Sequence, residues 1–152
     1  MGPFQQMLYK VIRAEGQARS ARTVEIFGWI VAAEAAGLLF APHFAAWLLH
    51  LPPLSEQAAN YLRLVGLLAG GVGMLYIVSG RLNAQGFVFA SLLDRPLVPP
   101  IMAVSWWLGI IPGTLALLFA LSDGLSALWT FSVWRREHAA HASATQSVIA
   151  GK

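Results

Sequence analysis

The chain has no cysteine, and it has little charge for its length. Of its 152 residues none is Cys, and only 11% are Asp, Glu, Lys or Arg. The absence of cysteine excludes disulfide bonds, thiol catalysis, thiolate metal sites and cysteine-linked lipid anchors. The scarcity of charge argues against a soluble enzyme, a nucleic-acid-binding protein and a disordered tail, because a soluble domain is about 25% charged.

Apolar residues make up most of what is present. They account for 57% of the chain, and the mean hydropathy is +0.63. So small a body cannot bury this much apolar surface in a single core. The excess must therefore face lipid, and we predict an all-α polytopic membrane protein.

Four apolar stretches are candidates to cross a bilayer, which takes about 20 residues of helix. We predict a four-transmembrane-helix bundle over 23–134, with spans at about 23–47, 58–79, 96–111 and 114–134. The third stretch is the least regular. Prolines are tolerated in the first turn of a helix, so we expect this span to begin near Pro96. An alternative begins it near Phe87 and treats the prolines as a kink.

The segments on either side of the bundle are more polar. Within 1–22, apolar residues recur at helical spacing opposite Lys10 and Arg13, which predicts a cytoplasmic amphipathic helix lying in the membrane interface. The apolar residues of this pattern are Phe4, Met7, Leu8, Val11 and Ile12. Residues 135–152 are rich in Ala, His and Ser, and we predict a flexible cytoplasmic tail.

The basic residues indicate how the chain is oriented. In the four-span arrangement every Lys and Arg except Arg63 flanks the spans on one side, with Arg81 and Arg95 in the connection between spans two and three. The positive-inside rule then places both termini in the cytoplasm, and we expect a bacterial inner membrane. Topology accounts for the net charge of +3, so no nucleic-acid partner is needed.

Three ionisable residues fall inside the predicted spans, where a charge costs a few kcal/mol and usually serves a function. They are Glu34 in span one, Arg63 in span two and Asp123 in span four. Both carboxylates lie about 16 Å from the cytoplasmic ends of their spans, at matching depth. One hypothesis makes them a catalytic acid and base oriented by Arg63. The other makes them an ion pair or a hydrogen-bonded network with Arg63 that holds the helices together.

Small and aromatic residues suggest two further features. Gly66, Gly70 and Gly73 share one stripe of span two, where a neighbouring helix can approach closely. Candidate residues for a ligand pocket are Tyr76, Ser105 and Trp106. No metal and no cofactor is predicted, because His43 and His50 lack the i, i+4 spacing of a two-histidine site.

Several short patterns resemble those of small bacterial four-helix membrane proteins of the DoxX-like group. They are Arg63-x-x-Gly66, Gly73-x-x-Tyr76, Leu93-Asp94-Arg95, Asp123 and Trp134-Arg135-Arg136. The resemblance covers roughly 58–136. It implies a four-helix membrane fold and no particular activity.

Three functions remain compatible with these features. We expect a small accessory or subunit protein, embedded in the lipid bilayer, that packs against itself or another membrane protein through the Gly66/Gly70/Gly73 face. The first alternative is a membrane enzyme that acts on a lipophilic small molecule with Glu34 and Asp123 as acid and base. The second is a proton-coupled carrier, which four helices could form only as an oligomer.

Overall fold

A computed structural model describes residues 2–150, with side chains described for 2–140, and all its regular structure in this range is helical. The helices are α1 (Pro3–Arg13), α2 (Arg19–Phe40), α3 (Pro42–Leu48), α4 (Glu56–Arg81), α5 (Gln85–Asp94), α6 (Val98–Trp107) and α7 (Gly113–Ala150). A 3₁₀ turn, Arg95–Leu97, joins α5 to α6.

Four helical segments are long and apolar enough to cross a membrane. They are Arg19–Phe40, Glu56–Arg81, Gln85–Trp107 and Gly113–Ala140. The all-α fold is therefore confirmed, and the chain is a multi-pass membrane protein. Local chemistry accounts for the helix boundaries: Pro42 begins α3 directly after the first span, and the Ser55 hydroxyl caps α4 by accepting the Ala58 N–H at 3.2 Å.

The third span begins earlier than we expected from the sequence. It runs from Gln85 to Trp107, which corrects the start near Pro96 and agrees with the alternative near Phe87. The proline bends the segment without ending it, because the 3₁₀ turn re-forms the backbone bonding: the Val98 N–H donates to the Arg95 carbonyl. Arg95 consequently lies inside the span, and it does not belong to the basic residues that flank the bundle.

The last helix also differs from expectation. We predicted a flexible tail over 135–152, whereas α7 continues without a break to Ala150; residues 151–152 lie outside the described part. Alanine is the strongest helix former and is frequent in this stretch. The Glu137 carboxylate also ties this part of α7 to the bundle, because it accepts the backbone N–H groups of Arg19 at 2.6 Å and of Ser20 at 3.3 Å.

The contact between α2 and α4 depends on glycine. A Cβ added at Gly66 would lie 2.8 Å from the Ala35 carbonyl oxygen, and one at Gly28 would lie 2.7 Å from the Ile77 nitrogen. The two backbones therefore touch, as they do at small-residue helix crossings in membranes. The buried core next to this crossing consists of Ala21, Val24, Phe27, Tyr76 and Val88.

The start of α2, the last turn of α4 and the part of α7 around Glu137 meet at one end of the bundle. The first residues of α2 contact Glu137 of α7, and the last turn of α4 contacts α2 through an ion pair between Arg81 and Glu25 at 2.7 Å. We call this the terminal end, because the N-terminal helix α1 also lies here. The backbone of α1 is hydrogen-bonded to Arg81, whose Nη1 donates to the Val11 carbonyl at 3.1 Å.

Candidate functional site

The structure does not assemble the three ionisable residues as a set. Arg63 is exposed on α4 and donates to the Asn60 side-chain oxygen at 2.7 Å. Glu34 on α2 and Asp123 on α7 are half-buried, on two helices that contact each other. Their matching depth in the membrane stays a prediction. The assignment of Arg63 as their partner is wrong.

The cation of this site is Arg95. Its side chain is 0% exposed, in the middle of the third span. The guanidinium lies over the Phe27 ring, 4.7 Å from its centroid, and 5.7 Å from that of Tyr76. Flat guanidinium groups stack well on aromatic faces, which replace part of the lost hydration.

Hydrogen bonds to Arg95 come from two spans. Its Nε donates to the Ser91 carbonyl at 3.2 Å, and its Nη2 donates to the hydroxyls of Ser91 at 3.0 Å and Thr130 at 3.1 Å. The aromatic rings that Arg95 contacts, Phe27 and Tyr76, belong to α2 and α4. Arg95 therefore touches all four spans, and contacts of this kind offset part of the cost of burying a charge.

A hydrogen-bonded series of polar groups leads from the terminal end to Arg95. The Glu137 carboxylate accepts from the Ser20 N–H, and the Ser20 carbonyl accepts from the Thr23 hydroxyl at 2.7 Å. The Thr23 and Thr130 hydroxyl oxygens lie 2.9 Å apart and share one hydrogen bond, whose proton comes from either hydroxyl, and Thr130 accepts from Arg95. We call Glu137, Ser20, Thr23, Thr130, Arg95, Asp123 and Glu34 the polar line.

The carboxylates form the deep end of the polar line. Asp123 lies two turns from Thr130 on the same face of α7, about 10 Å further along the helix. No hydrogen bond to the side chain of Asp123 or Glu34 comes from any residue in 2–140, and both remain half-exposed. These carboxylates are therefore placed to bond to something other than the described chain.

Two buried polar atoms on the polar line have no hydrogen-bond partner among the described residues. They are the Ser20 hydroxyl oxygen and Nη1 of Arg95. An unsatisfied buried polar atom costs about 1–3 kcal/mol, and such atoms in proteins are commonly bonded to internal water. The polar line therefore has positions suited to water between the terminal end and the carboxylates.

Two grooves on the bundle surface accompany this interior site. One, of about 480 Å³, lies between α2 and α7 and is apolar except for two serine hydroxyls. Its lining residues are Ile30, Leu118, Leu121, Ser122, Leu125, Ser126 and Trp129. The second, of about 400 Å³, lies between the third span and α7. A lipophilic molecule could reach either groove from the membrane.

The predicted pocket residues do not come together. Tyr76 lies in the core, with its ring centroid 5.0 Å from that of Phe87 and under Arg95. Trp106 is 61% exposed and lies beside Gly113 at the start of α7, and Ser105 is half-buried next to it in the sequence. Tyr76 is therefore part of the charged site, and Ser105 and Trp106 are not.

The glycine face is occupied within the chain. A Cβ at Gly66 or Gly73 would lie 3.0 Å or less from the backbone of α2, and one at Gly70 would lie 3.7 Å from the Ala35 Cβ. The close approach predicted from the glycine spacing is present. The neighbour is α2 of the same molecule, which corrects the expectation that this face contacts another protein.

Among the described residues, no group of three or more His, Cys, Asp or Glu side chains is placed to hold a metal ion. Comparisons of the chain with protein-family models, with curated proteins and with solved structures find no match. The site is therefore interpreted from its own chemistry.

Proposed function

We propose that the protein is a membrane enzyme that uses Asp123 and Glu34 to exchange a proton with a lipophilic substrate. The observation that carries this proposal is the polar line, which runs from an aqueous end of the bundle to two carboxylates at mid-depth. The spans around it are otherwise apolar. Carboxylates half-buried in an apolar bundle that also holds a fixed cation are suited to general acid and base work.

The parts of the polar line have different tasks in this proposal. Arg95 stays protonated under all conditions and supplies a fixed positive charge. One guanidinium cannot neutralise both carboxylates in apolar surroundings, so a bound proton is the remaining way to balance the charge. Hydroxyls both donate and accept hydrogen bonds, so Thr23, Thr130 and water beside Ser20 can pass a proton inward from the terminal end, and further water must bridge the roughly 10 Å between Thr130 and Asp123.

The orientation and location in the cell belong to the proposal as well. The exposed arginines Arg19, Arg22, Arg135 and Arg136 lie at the terminal end, which supports a cytoplasmic position for both termini. On this basis we place the protein in a bacterial inner membrane, with protons drawn from the cytoplasm. Its resemblance to the DoxX-like group stays part of this proposal.

Infrared spectroscopy of the protein in lipid vesicles tests the proton-exchange site directly. The carbonyl stretch of a protonated carboxylic acid is expected to change with pH, and Asp123→Asn is expected to remove it. Glu56→Gln is the matched control, because Glu56 is an exposed carboxylate at the start of α4. If no band sensitive to Asp123→Asn or Glu34→Gln titrates, the two residues do not exchange protons and the proposal is wrong.

The accessory or subunit function is a second candidate, and a separate observation favours it. Within each span only 17–33% of the most apolar window is buried inside the chain. Glu34 and Asp123 are also incompletely covered at mid-depth, where exposure to lipid costs a few kcal/mol for each charge. Contact with a second copy or another membrane protein would cover both. A carrier is less well supported, because the described polar line ends at Glu34 and does not continue to the opposite end.

A further inference from the structure

The N-terminal helix α1 has a fixed position but buries none of its residues. Its apolar face is widely exposed: Phe4 by 78%, Met7 by 55% and Ile12 by 66%. Side-chain packing against the bundle therefore does not explain why this face is apolar. A helix with one strongly apolar face and one polar face is typical of the membrane interface.

Polar contacts hold α1 at the terminal end. Arg81 donates through Nη1 to the Val11 carbonyl and through Nε to Glu25, at 3.1 and 2.7 Å. Gln17, in the connection to α2, donates to Glu25 at 2.8 Å and to the Gly80 carbonyl at 3.0 Å. These bonds place α1 beside the last turn of α4, which is the level at which a membrane-spanning helix leaves the hydrocarbon.

The polar side of α1 and the helix segments at the same end of the bundle carry exposed positive charges. The exposed cations here, which we call the basic ring, are Lys10, Arg13, Arg19, Arg22, Arg135 and Arg136. Among the residues whose side chains are described, the ion pair that this set makes joins Arg13 to Glu15 at 3.6 Å, with both side chains more than half exposed. Exposed pairs of this kind neutralise little of the charge. The ring therefore presents positive potential next to an apolar helix face.

We infer that α1 and the basic ring form a binding surface for anionic phospholipids. The apolar face of α1 inserts at the boundary between acyl chains and headgroups, while Lys10 and Arg13 contact lipid phosphates. Charge complementarity favours this occupant, because cations beside an apolar helix face that is inserted in the membrane favour anionic over zwitterionic headgroups. The inference is independent of the proton-exchange site, because none of its residues belongs to the polar line.

The absence of cysteine permits a direct test by site-specific spin labelling. A nitroxide is attached to Met7→Cys on the apolar face, or to Gln6→Cys on the opposite side, in the full-length protein. The probes are vesicles of pure phosphatidylcholine and of phosphatidylcholine with phosphatidylglycerol. We expect the label at position 7 to be several-fold more accessible to oxygen than to a water-soluble relaxant in the anionic vesicles. The label at position 6 is expected to show the reverse preference.

Charge variants decide whether headgroup charge causes the insertion. Lys10→Gln with Arg13→Gln is expected to remove the difference between the two vesicle types at position 7. Arg63→Gln, at an exposed arginine of α4 away from the ring, is the matched control and is expected to keep that difference. Equal label depth in both vesicle types, or a difference that persists in the double variant, would overturn the inference.

Discussion

At the scale of single residues, the molecule is organised around one buried guanidinium. A charge in the middle of a bilayer costs roughly 2.5–3.5 kcal/mol on insertion scales. Arg95 offsets part of this cost with two aromatic rings and the hydroxyls of Ser91 and Thr130. Lysine would supply the charge but not the planar group that stacks and bonds in several directions at once.

A double-mutant cycle tests whether Arg95 and Asp123 are coupled. Arg95→Leu leaves the carboxylates without their cation and is expected to destabilise the protein by about 3 kcal/mol. With Asp123→Asn in the background, the same change is expected to cost at least about 1 kcal/mol less. Reversible unfolding in bicelles measures both. Arg63→Leu is the control and is expected to have almost no effect.

Additive effects of the two substitutions would contradict this prediction. Independent sites add to within about 0.3–0.5 kcal/mol, so a smaller difference means that Asp123 is not a partner of Arg95. Thr130→Val gives a useful comparison, because it removes the hydroxyl that bonds to Arg95, Thr23 and the Ser126 carbonyl and leaves every charge in place.

The sequence identifies some of these residues and not others, for physical reasons. Glu34 and Asp123 are visible as charges inside apolar stretches, and their equal depths follow from counting along two helices. Arg95 is missed because a proline follows it, and the residue before a proline usually ends a helix. The Thr23–Thr130 hydrogen bond joins residues 107 positions apart, and no local pattern reports such a pairing.

At the scale of helices, the sequence predicts the glycine stripe of α4 but does not predict that α2 is the helix that packs against it. The glycines of α4 are spaced for close approach, and this much follows from the sequence. The sequence does not show which helix approaches these glycines, because any apolar helix would fit. The structure supplies the missing part in Gly28 of α2, where an added Cβ would lie 2.7–2.9 Å from Ile77, Tyr76 and Gly73 of α4.

Alanine substitutions at two glycines of α4, one that contacts α2 and one that does not, test this crossing. Gly66→Ala places a Cβ 2.8 Å from backbone atoms of α2 and is expected to destabilise the protein by about 1–3 kcal/mol. Gly71→Ala meets nothing within 4 Å and is expected to be neutral or stabilising by up to about 1 kcal/mol, since alanine favours helix. Thermal unfolding in detergent measures both. Equal effects would show that α2 does not approach α4 at Gly66.

At the scale of the whole molecule, the four spans form a thin bundle with much outward surface. Their number follows from hydropathy alone, because lipid permits few alternatives to a long apolar helix. Hydropathy does not show what covers the outer faces of the spans, since lipid tails and another protein helix are similarly apolar surroundings. The subunit candidate therefore depends on whether copies associate in a bilayer.

Cysteine cross-linking in vesicles measures that association, because the natural chain contributes no thiol of its own. If copies cover the groove between α2 and α7, Leu125→Cys is expected to form disulfide-linked dimers on mild oxidation. Leu125 lines this groove and is 62% exposed. Trp107→Cys, at a side chain 82% exposed on α6, is the matched control and is expected to cross-link several-fold more slowly. Equal rates, or a dimer yield that falls to zero as lipid is added, would mean that copies do not associate through this groove and that lipid or a different protein covers this face.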